Sequence, residues 1–159
     1  MNTVVVHFTK FGNTQKVAEA IAETLGAGGT ARVLGMDQLR AAGLGEADLV
    51  VVGCPTHRMN LPEAVRPLLD GLPRGMLRGT AVAAFDTSYR TNALLSRFTA
   101  AKRLNRRLRK LGGKPAVPPE TFYVTGREGP LEEGEIERAG RWAAAILAQV
   151  RGHPAPSPH

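Results

Sequence analysis

A change of hydrophobic period near the start of the chain constrains the fold more than any other feature of the sequence. Residues 3–8 are mostly apolar and β-branched, which is typical of a strand covered on both faces. From Thr14 to Leu25 the apolar residues fall three and four positions apart, the spacing of an amphipathic helix. The segment therefore predicts a buried strand, a short turn, and a helix that packs back onto a sheet.

The turn between these two elements carries groups that bind anions. It consists of Thr9, Lys10, Phe11, Gly12, Asn13 and Thr14. A helix N-terminus offers unpaired amides and a partial positive charge, so the amides and hydroxyls of this turn suit a phosphate group. Neither the P-loop spacing nor the GxGxxG dinucleotide fingerprint occurs in the sequence. The alternative interpretation is a turn whose Thr and Asn residues only cap the helix.

The alternation of strands and helices continues along the chain. Further strands are predicted over residues 30–36, 47–53, 80–85 and 121–124. Helices are predicted over 38–42, from Leu61 with an irregularity at Pro67, over 92–111, and from Leu131 to Val150. Five strands alternating with five helices predict an α/β fold, a doubly wound parallel sheet with helices on both faces. Residues 1–150 are predicted to form one domain, and the proline-rich residues 151–159 a disordered tail.

Two stretches of the chain resemble the flavodoxin family. The turn ends in Phe11-Gly12-Asn13-Thr14, similar to the Tyr-Gly-Asn-Thr loops of that family. The third strand ends in Gly53-Cys54-Pro55-Thr56, where these domains often have Gly-Ser-Pro-Thr. The resemblance covers nearly the whole chain in element order. It implies the strand order 2-1-3-4-5, of which flavodoxins are a standard example, and a bound FMN where the loops after strands one and three diverge.

Carried over position by position, the resemblance implies three sets of cofactor-binding residues. The phosphate would be held by Thr9, Lys10, Phe11, Gly12, Asn13 and Thr14. One side of the flavin ring would be lined by Pro55, Thr56, His57, Arg58, Met59 and Asn60, and the other by Asp86, Thr87, Ser88, Tyr89 and Arg90. We expect Tyr89 to stack on the ring, because the second loop has no large aromatic residue. Packing of Tyr89 against the following helix is the alternative.

The charge of the chain departs from that of typical flavodoxins, which are strongly acidic. The net charge is +7 and the pI is near 10.3. Arg58 and Arg90 are expected near the ring, where positive charge would favour the anionic reduced flavin and make its potential less negative.

The predicted fourth helix, residues 92–111, concentrates this positive charge. Its cations are Arg97, Lys102, Arg103, Arg106, Arg107, Arg109 and Lys110, with no acidic residue between Asp86 and Glu120. A solvated outer face is one interpretation. A docking surface for an acidic redox partner protein is a second, because opposite charge speeds encounter. Charge attraction to nucleic acid or to a membrane surface is the third, but specific nucleic-acid binding is not expected, since the helix has no aromatic residue beyond Phe98 for stacking on bases.

Composition excludes several kinds of site and partner. The single cysteine, Cys54, excludes an internal disulfide, and the four scattered histidines predict no metal site. No apolar run is long enough to span a membrane, so we expect a cytoplasmic protein of undetermined oligomeric state. The function expected from the resemblance is electron transfer by bound FMN. An FMN-dependent NAD(P)H or quinone reductase and a flavin-free binding protein of the same fold are the alternatives.

Overall fold

The computed structural model describes residues 1–39, 44, 46–56, 60–90 and 99–152. Its strands are β1 (Asn2–His7), β2 (Thr30–Gly35), β3 (Leu49–Pro55), β4 (Ala81–Tyr89), β5 (Lys114–Pro115) and β6 (Glu120–Val124). Its α-helices are α1 (Asn13–Gly26), α2 (Val65–Asp70), α3 (Ala100–Lys110) and α4 (Glu135–Gly152). A 3-10 turn at Met36–Gln38 follows β2.

The strands form one parallel sheet in the order β2-β1-β3-β4-β5, and β6 also pairs with β4. The predicted order is therefore confirmed, with one addition. The fifth place in the sheet is shared by two segments, because β5 pairs with the start of β4 and β6 with its end. The predicted fifth strand corresponds to β6.

Alternate residues of the central strands point to two separate cores. Val4, Val6, Val50 and Val52 pack with α2 and α3 on one face. Val5 and Val51 pack with α1 and α4 on the other, where Phe85, Phe122 and Trp142 meet edge to face. Burial on both faces explains why these strands are continuous apolar runs. The doubly wound architecture is confirmed.

Two predicted element boundaries are wrong. Asp86 to Tyr89, expected in a loop, belong to β4, because β6 continues the ladder from Phe85 to Tyr89. The predicted fourth helix is not continuous: Thr99 has extended backbone, with φ −81° and ψ 153°, and α3 begins at Ala100. Residues 91–98 lie outside the described part of the chain.

The other helices are shorter or shifted relative to the sequence prediction. The α2 helix has six residues, with Pro67 in its tolerated first turn. The α4 helix begins at Glu135 rather than Leu131, and Ile136, expected in its buried stripe, is 39% exposed. It ends at Gly152, so only 153–159 of the expected tail lie outside the described residues. Of the helices in the described ranges, none is both long and apolar enough to cross a bilayer.

Candidate functional site

The loop after β1 turns sharply onto α1, and Gly12 makes the turn possible. Gly12 has a φ of 90°, a left-handed conformation in which residues with a side chain are strained. Its amide donates to Thr9 Oγ1 at 2.9 Å. The loop is thus folded by its own threonine, and it delivers the chain to the first helical residue, Asn13.

The N-terminus of α1 presents free donors. The amides of Asn13, Thr14 and Gln15 have no carbonyl of their own helix to donate to, and the first helical bond runs from Lys16 N–H to Gly12 O at 3.1 Å. No acidic residue lies in the first turn of α1 to neutralise the positive end of the dipole. This end of the helix therefore favours an anion.

Side-chain contacts tie this loop to the two neighbouring strand ends. The hydroxyls of Thr14 and Thr87 are hydrogen-bonded at 2.8 Å and buried. Asn13 Nδ2 donates to the Glu128 carbonyl at 3.0 Å, in the loop after β6. The α1 N-terminus is consequently held against the carboxyl ends of both β4 and β6.

Thr56, at the end of β3, is held from three sides. Its hydroxyl donates to Asp86 Oδ2 and accepts from the Ala100 amide at 3.0 Å, and its own amide donates to the Thr87 carbonyl at 2.9 Å. Asp86 is fully buried, and this burial raises its pKa although the hydroxyls of Thr121 and Thr56 oppose the shift. Asp86 thus lies behind Thr56 and positions it.

Cys54 lies beside this pair and is also fully buried. Burial, followed by the nearby charge of Asp86, raises the pKa of the Cys54 thiol well above its usual range. Since the thiolate is the reactive form, this cysteine is an inert core residue.

The three strand ends and the α1 loop surround one cleft of about 310 Å³. Ten of the predicted site residues line it: Thr9, Lys10, Phe11, Asn13, Thr14, Pro55, Thr56, Thr87, Ser88 and Tyr89. Tyr89 is 56% exposed and Phe11 44% exposed, and both are at the cleft. Tyr89 is therefore an open aromatic surface rather than a core residue.

The remaining predicted site residues lie elsewhere. Gly12 shapes the loop without lining the cleft, and Asp86 is beneath it. Asn60 faces a different cleft, between α2 and α3. Arg90 turns toward Glu132, with Arg90 Nη2 3.0 Å from Glu132 Oε1 and its guanidinium 4.1 Å from the centre of the Tyr123 ring. The predicted residues His57, Arg58 and Met59 lie outside the described residues.

Four cleft residues were not predicted from the sequence: Phe8, Pro62, Val124 and Arg127. Val124 ends β6 and Arg127 follows it, so both belong to the carboxyl edge of the sheet. Loops that follow parallel strands emerge at the carboxyl edge of the sheet, so the loop after the fifth strand could have been predicted to lie beside those after strands one, three and four. Within the described ranges, no three His, Cys, Asp or Glu side chains converge as metal ligands would.

Solved structures with the same fold include small flavodoxins and parts of larger proteins. Oxidised flavodoxin 2 from Bacillus cereus superimposes with a TM-score of 0.76 at 19% identity, over 94% of this chain and 99% of that one. A flavodoxin, WrbA-like protein from Agrobacterium tumefaciens gives 0.75 at 21% identity, over 96% and 99%. Rubredoxin oxygen:oxidoreductase from Desulfovibrio gigas gives 0.74 at 19% identity over 95% of this chain, which spans only 36% of that protein.

These likenesses establish the fold, and the sequence establishes the family. The flavodoxin family model matches residues 5–142, most of the 159-residue chain. The chain belongs to the flavodoxin family.

Proposed function

We propose that this protein binds FMN in the cleft at the carboxyl edge of the sheet and carries electrons between partners. Proteins of the flavodoxin family bind a flavin, typically FMN. The observation that carries the proposal is that an anion-binding helix N-terminus and an exposed tyrosine open into the same cleft. A phosphate and a planar ring are the two parts of FMN that need such partners.

The hydrogen-bond donors of the first loop support the placement of the phosphate at one end of the cleft. The free amides at the start of α1 and the hydroxyl of Thr14 all belong to this loop, and Lys10 adds a positive charge to the cleft lining. Thr9 contributes as well, because its oxygen accepts from the Gly12 amide and its O–H stays available to donate to the phosphate. We assign the phosphate to this end of the cleft.

The size of the cleft and its apolar lining support the placement of the flavin ring at the other end. A volume of about 310 Å³ lies within the usual size of ligand clefts, roughly 300–1,000 Å³. Pro55, Pro62 and Val124 provide apolar walls, and Tyr89 provides an aromatic surface. We assign the flavin ring to this end, against Tyr89.

FMN supplies one- and two-electron transfer when it is bound, so the chain itself must bind, orient and expose it. Among the described residues of the lining, the titratable side chains are Lys10, Tyr89 and Arg127, and none of these forms an acid–base pair with another. Asp86, which is separated from the cleft by Thr56, does not reach a substrate. This set favours an electron carrier over an enzyme that transfers protons to a substrate.

A titration of FMN and of riboflavin, followed by quenching of flavin fluorescence, tests the site. Thr14→Val should weaken FMN binding about tenfold or more through the loss of a hydrogen bond to a charged group, and should leave riboflavin binding nearly unchanged. Thr24→Val, at the other end of α1, is the matched control and should bind FMN as the native chain does. Absence of quenching at high FMN concentration would show that the protein is a flavin-free member of this fold.

Oxidation of NAD(P)H by the FMN-loaded protein, with and without a quinone, tests the assignment as a carrier. A carrier should show no sustained turnover in either case. Sustained quinone-dependent oxidation would identify the protein as a reductase instead.

A further inference from the structure

A second cleft, distinct from the flavin cleft, lies between α2 and α3 and is lined by cations. It contains Arg66 of α2 and four residues of α3: Arg103, Arg106, Arg107 and Lys110. Within the described residues, the only carboxylate paired with any of these cations is Asp70, which binds Arg107. Five positive groups thus share one small concave site with a single counter-charge.

Ordinary helix electrostatics explain only part of this cluster. Basic residues in the last turn of a helix complement its dipole, and this accounts for Arg107 and Lys110. Arg103 and Arg106 lie earlier in α3, and the exposed Arg66 comes from a different helix. Like charges held this close repel each other, so an anion bound between them would relieve a cost that the free protein carries.

Arg103 provides the most specific observation. Its Nε is buried and has no hydrogen-bond partner among the described residues. A buried guanidinium donor without an acceptor costs free energy, and an anionic oxygen in the cleft would satisfy it. The guanidinium group is also the side chain best matched to paired oxygens of a phosphate or carboxylate.

The size and lining of the cleft distinguish between these anions. Its volume is about 150 Å³, the space of about five water molecules, which is the scale of one or two phosphate groups. Among the described residues of the lining, Leu61 is the only apolar one, and none is an aromatic residue that could anchor a protein partner or stack on a base. A small phosphate-bearing group fits this description better than an acidic protein surface.

We propose that the α2–α3 cleft is a second anion site that binds the phosphate group of a phosphorylated small molecule. The site is separated from the flavin cleft by one short segment of chain, because Asn60 and Leu61 line the basic cleft and Pro62 lines the flavin cleft. A phosphorylated molecule bound there would lie next to the flavin site without occupying the α1 loop. The site is independent of whether FMN binds.

Calorimetric titration with inorganic pyrophosphate at low ionic strength, with and without saturating FMN, tests this assignment. With saturating FMN, which fills the α1 loop, we expect saturable binding of pyrophosphate to one site, and this binding should also be present without FMN. Arg103→Gln combined with Arg106→Gln should weaken it about tenfold or more, since two charge-assisted hydrogen bonds are lost. Lys102→Gln combined with Arg109→Gln is the matched control, because it removes the same charge from exposed residues of the same helix outside the cleft, and it should change binding only about twofold.

Several results would overturn the proposal. The first is absence of binding. The second is an equal loss in both double variants, which would indicate general charge attraction. The third is loss of binding on FMN saturation, which would place the ion in the α1 loop. Binding of an oligoglutamate peptide but not of pyrophosphate would assign the cleft to an acidic partner protein instead. Arg66→Gln, at an exposed position of α2, provides a second cleft variant if the Arg103 change disturbs folding, which circular dichroism would reveal.

Discussion

The packing of Phe85 explains why the third strand, β3, has a glycine at position 53. A Cβ at this position would lie 2.0 Å from Cζ of Phe85, far closer than van der Waals contact allows. Phe85 is fully buried and packs edge to face with Phe122 and Trp142, so it has no room to move away. The close approach of backbone to ring therefore requires glycine in Gly53-Cys54-Pro55-Thr56, independently of any ligand.

We expect Gly53→Ala to lower the free energy of unfolding by about 1–3 kcal/mol or more through overpacking. Gly126→Ala is the control, because a Cβ there meets nothing within 4 Å and its backbone is not left-handed. The control should stay within about 0.5 kcal/mol of the native chain. Urea unfolding measures both, and equal stability of the two variants would contradict the packing explanation.

Two arginines near the flavin cleft should influence a bound flavin differently. Arg90 forms hydrogen bonds of 3.0–3.1 Å with both carboxylate oxygens of Glu132, which offsets its charge. Arg127 lines the cleft, is exposed, and has no ion-pair partner among the described residues. At the proposed flavin site, Arg127 should thus supply the positive charge that was expected from Arg90.

Arg127→Ala should consequently make the midpoint potential of bound FMN more negative, and Arg90→Ala should change it less. An exposed charge contributes well under a tenfold change in the equilibrium, so the shift should stay below about 59 mV for one electron. Spectroscopic redox titration measures it. A larger shift in Arg90→Ala would show that the Glu132 pair does not offset the charge.

At the scale of elements, a network of charged side chains joins β6 to α4, in addition to the packing of Phe122 on Trp142. Arg138 of α4 donates to both carboxylate oxygens of the buried Glu135, at 2.8 and 2.7 Å, and lies 3.1 Å from Glu120 of β6. Glu135 also accepts from the Tyr123 amide at 2.7 Å. Burial alone would raise the pKa of Glu135, but these hydrogen bonds and the Arg138 charge hold it below its usual value.

A lowered carboxyl pKa stabilises the fold above the pKa of the unfolded chain, near 4.3, and this stabilisation is lost as pH falls through the folded value. Arg138→Gln should therefore cost about 1–3 kcal/mol at neutral pH and less near pH 4. Arg141→Gln, an exposed arginine of the same helix, should cost little at either pH. Urea unfolding at both pH values checks this, and a pH-independent cost would exclude Glu135 as the cause.

The elements that could be predicted best from the sequence are those with a continuous buried face. The valine runs of β1 and β3 and the apolar stripe of α1 need no tertiary information, because their period alone gives their type. The boundaries that failed depend on neighbours distant in sequence. Asp86 remains in β4 because β6 pairs beside it, and α3 begins at Ala100, whose amide is held by Thr56.

In the candidate site, too, the features that failed depend on neighbours distant in sequence. Ten residues of the cleft could be predicted because the resemblance to flavodoxins implies the loops after strands one, three and four, and because strand ends in a parallel sheet meet at one edge. The directions of individual side chains could not be predicted. Asp86 points into the core because β4 continues past it, and Arg90 points away from the cleft because Glu132 lies opposite it. Neither partner is close to its residue in the sequence.

At the scale of the whole molecule, the flavin cleft joins parts of the chain that otherwise meet only through the sheet. Its lining comes from the α1 loop, the ends of β3 and β4, and the segment after β6. A ligand that contacts all of them in the folded chain and none in the unfolded chain must stabilise the fold by mass action. The stability of the protein should therefore depend on FMN concentration.

At an FMN concentration about one hundred times its dissociation constant, the gain should be about 2.7 kcal/mol. For a domain of this size the melting temperature should then rise by about 5–11 °C, which differential scanning calorimetry measures. Riboflavin at the same concentration should give a smaller rise, because it cannot use the amides at the start of α1. In Thr14→Val the difference between the two ligands should shrink, since that variant weakens only the phosphate end. An equal rise with both ligands in the native chain would mean that the α1 loop contributes nothing to binding.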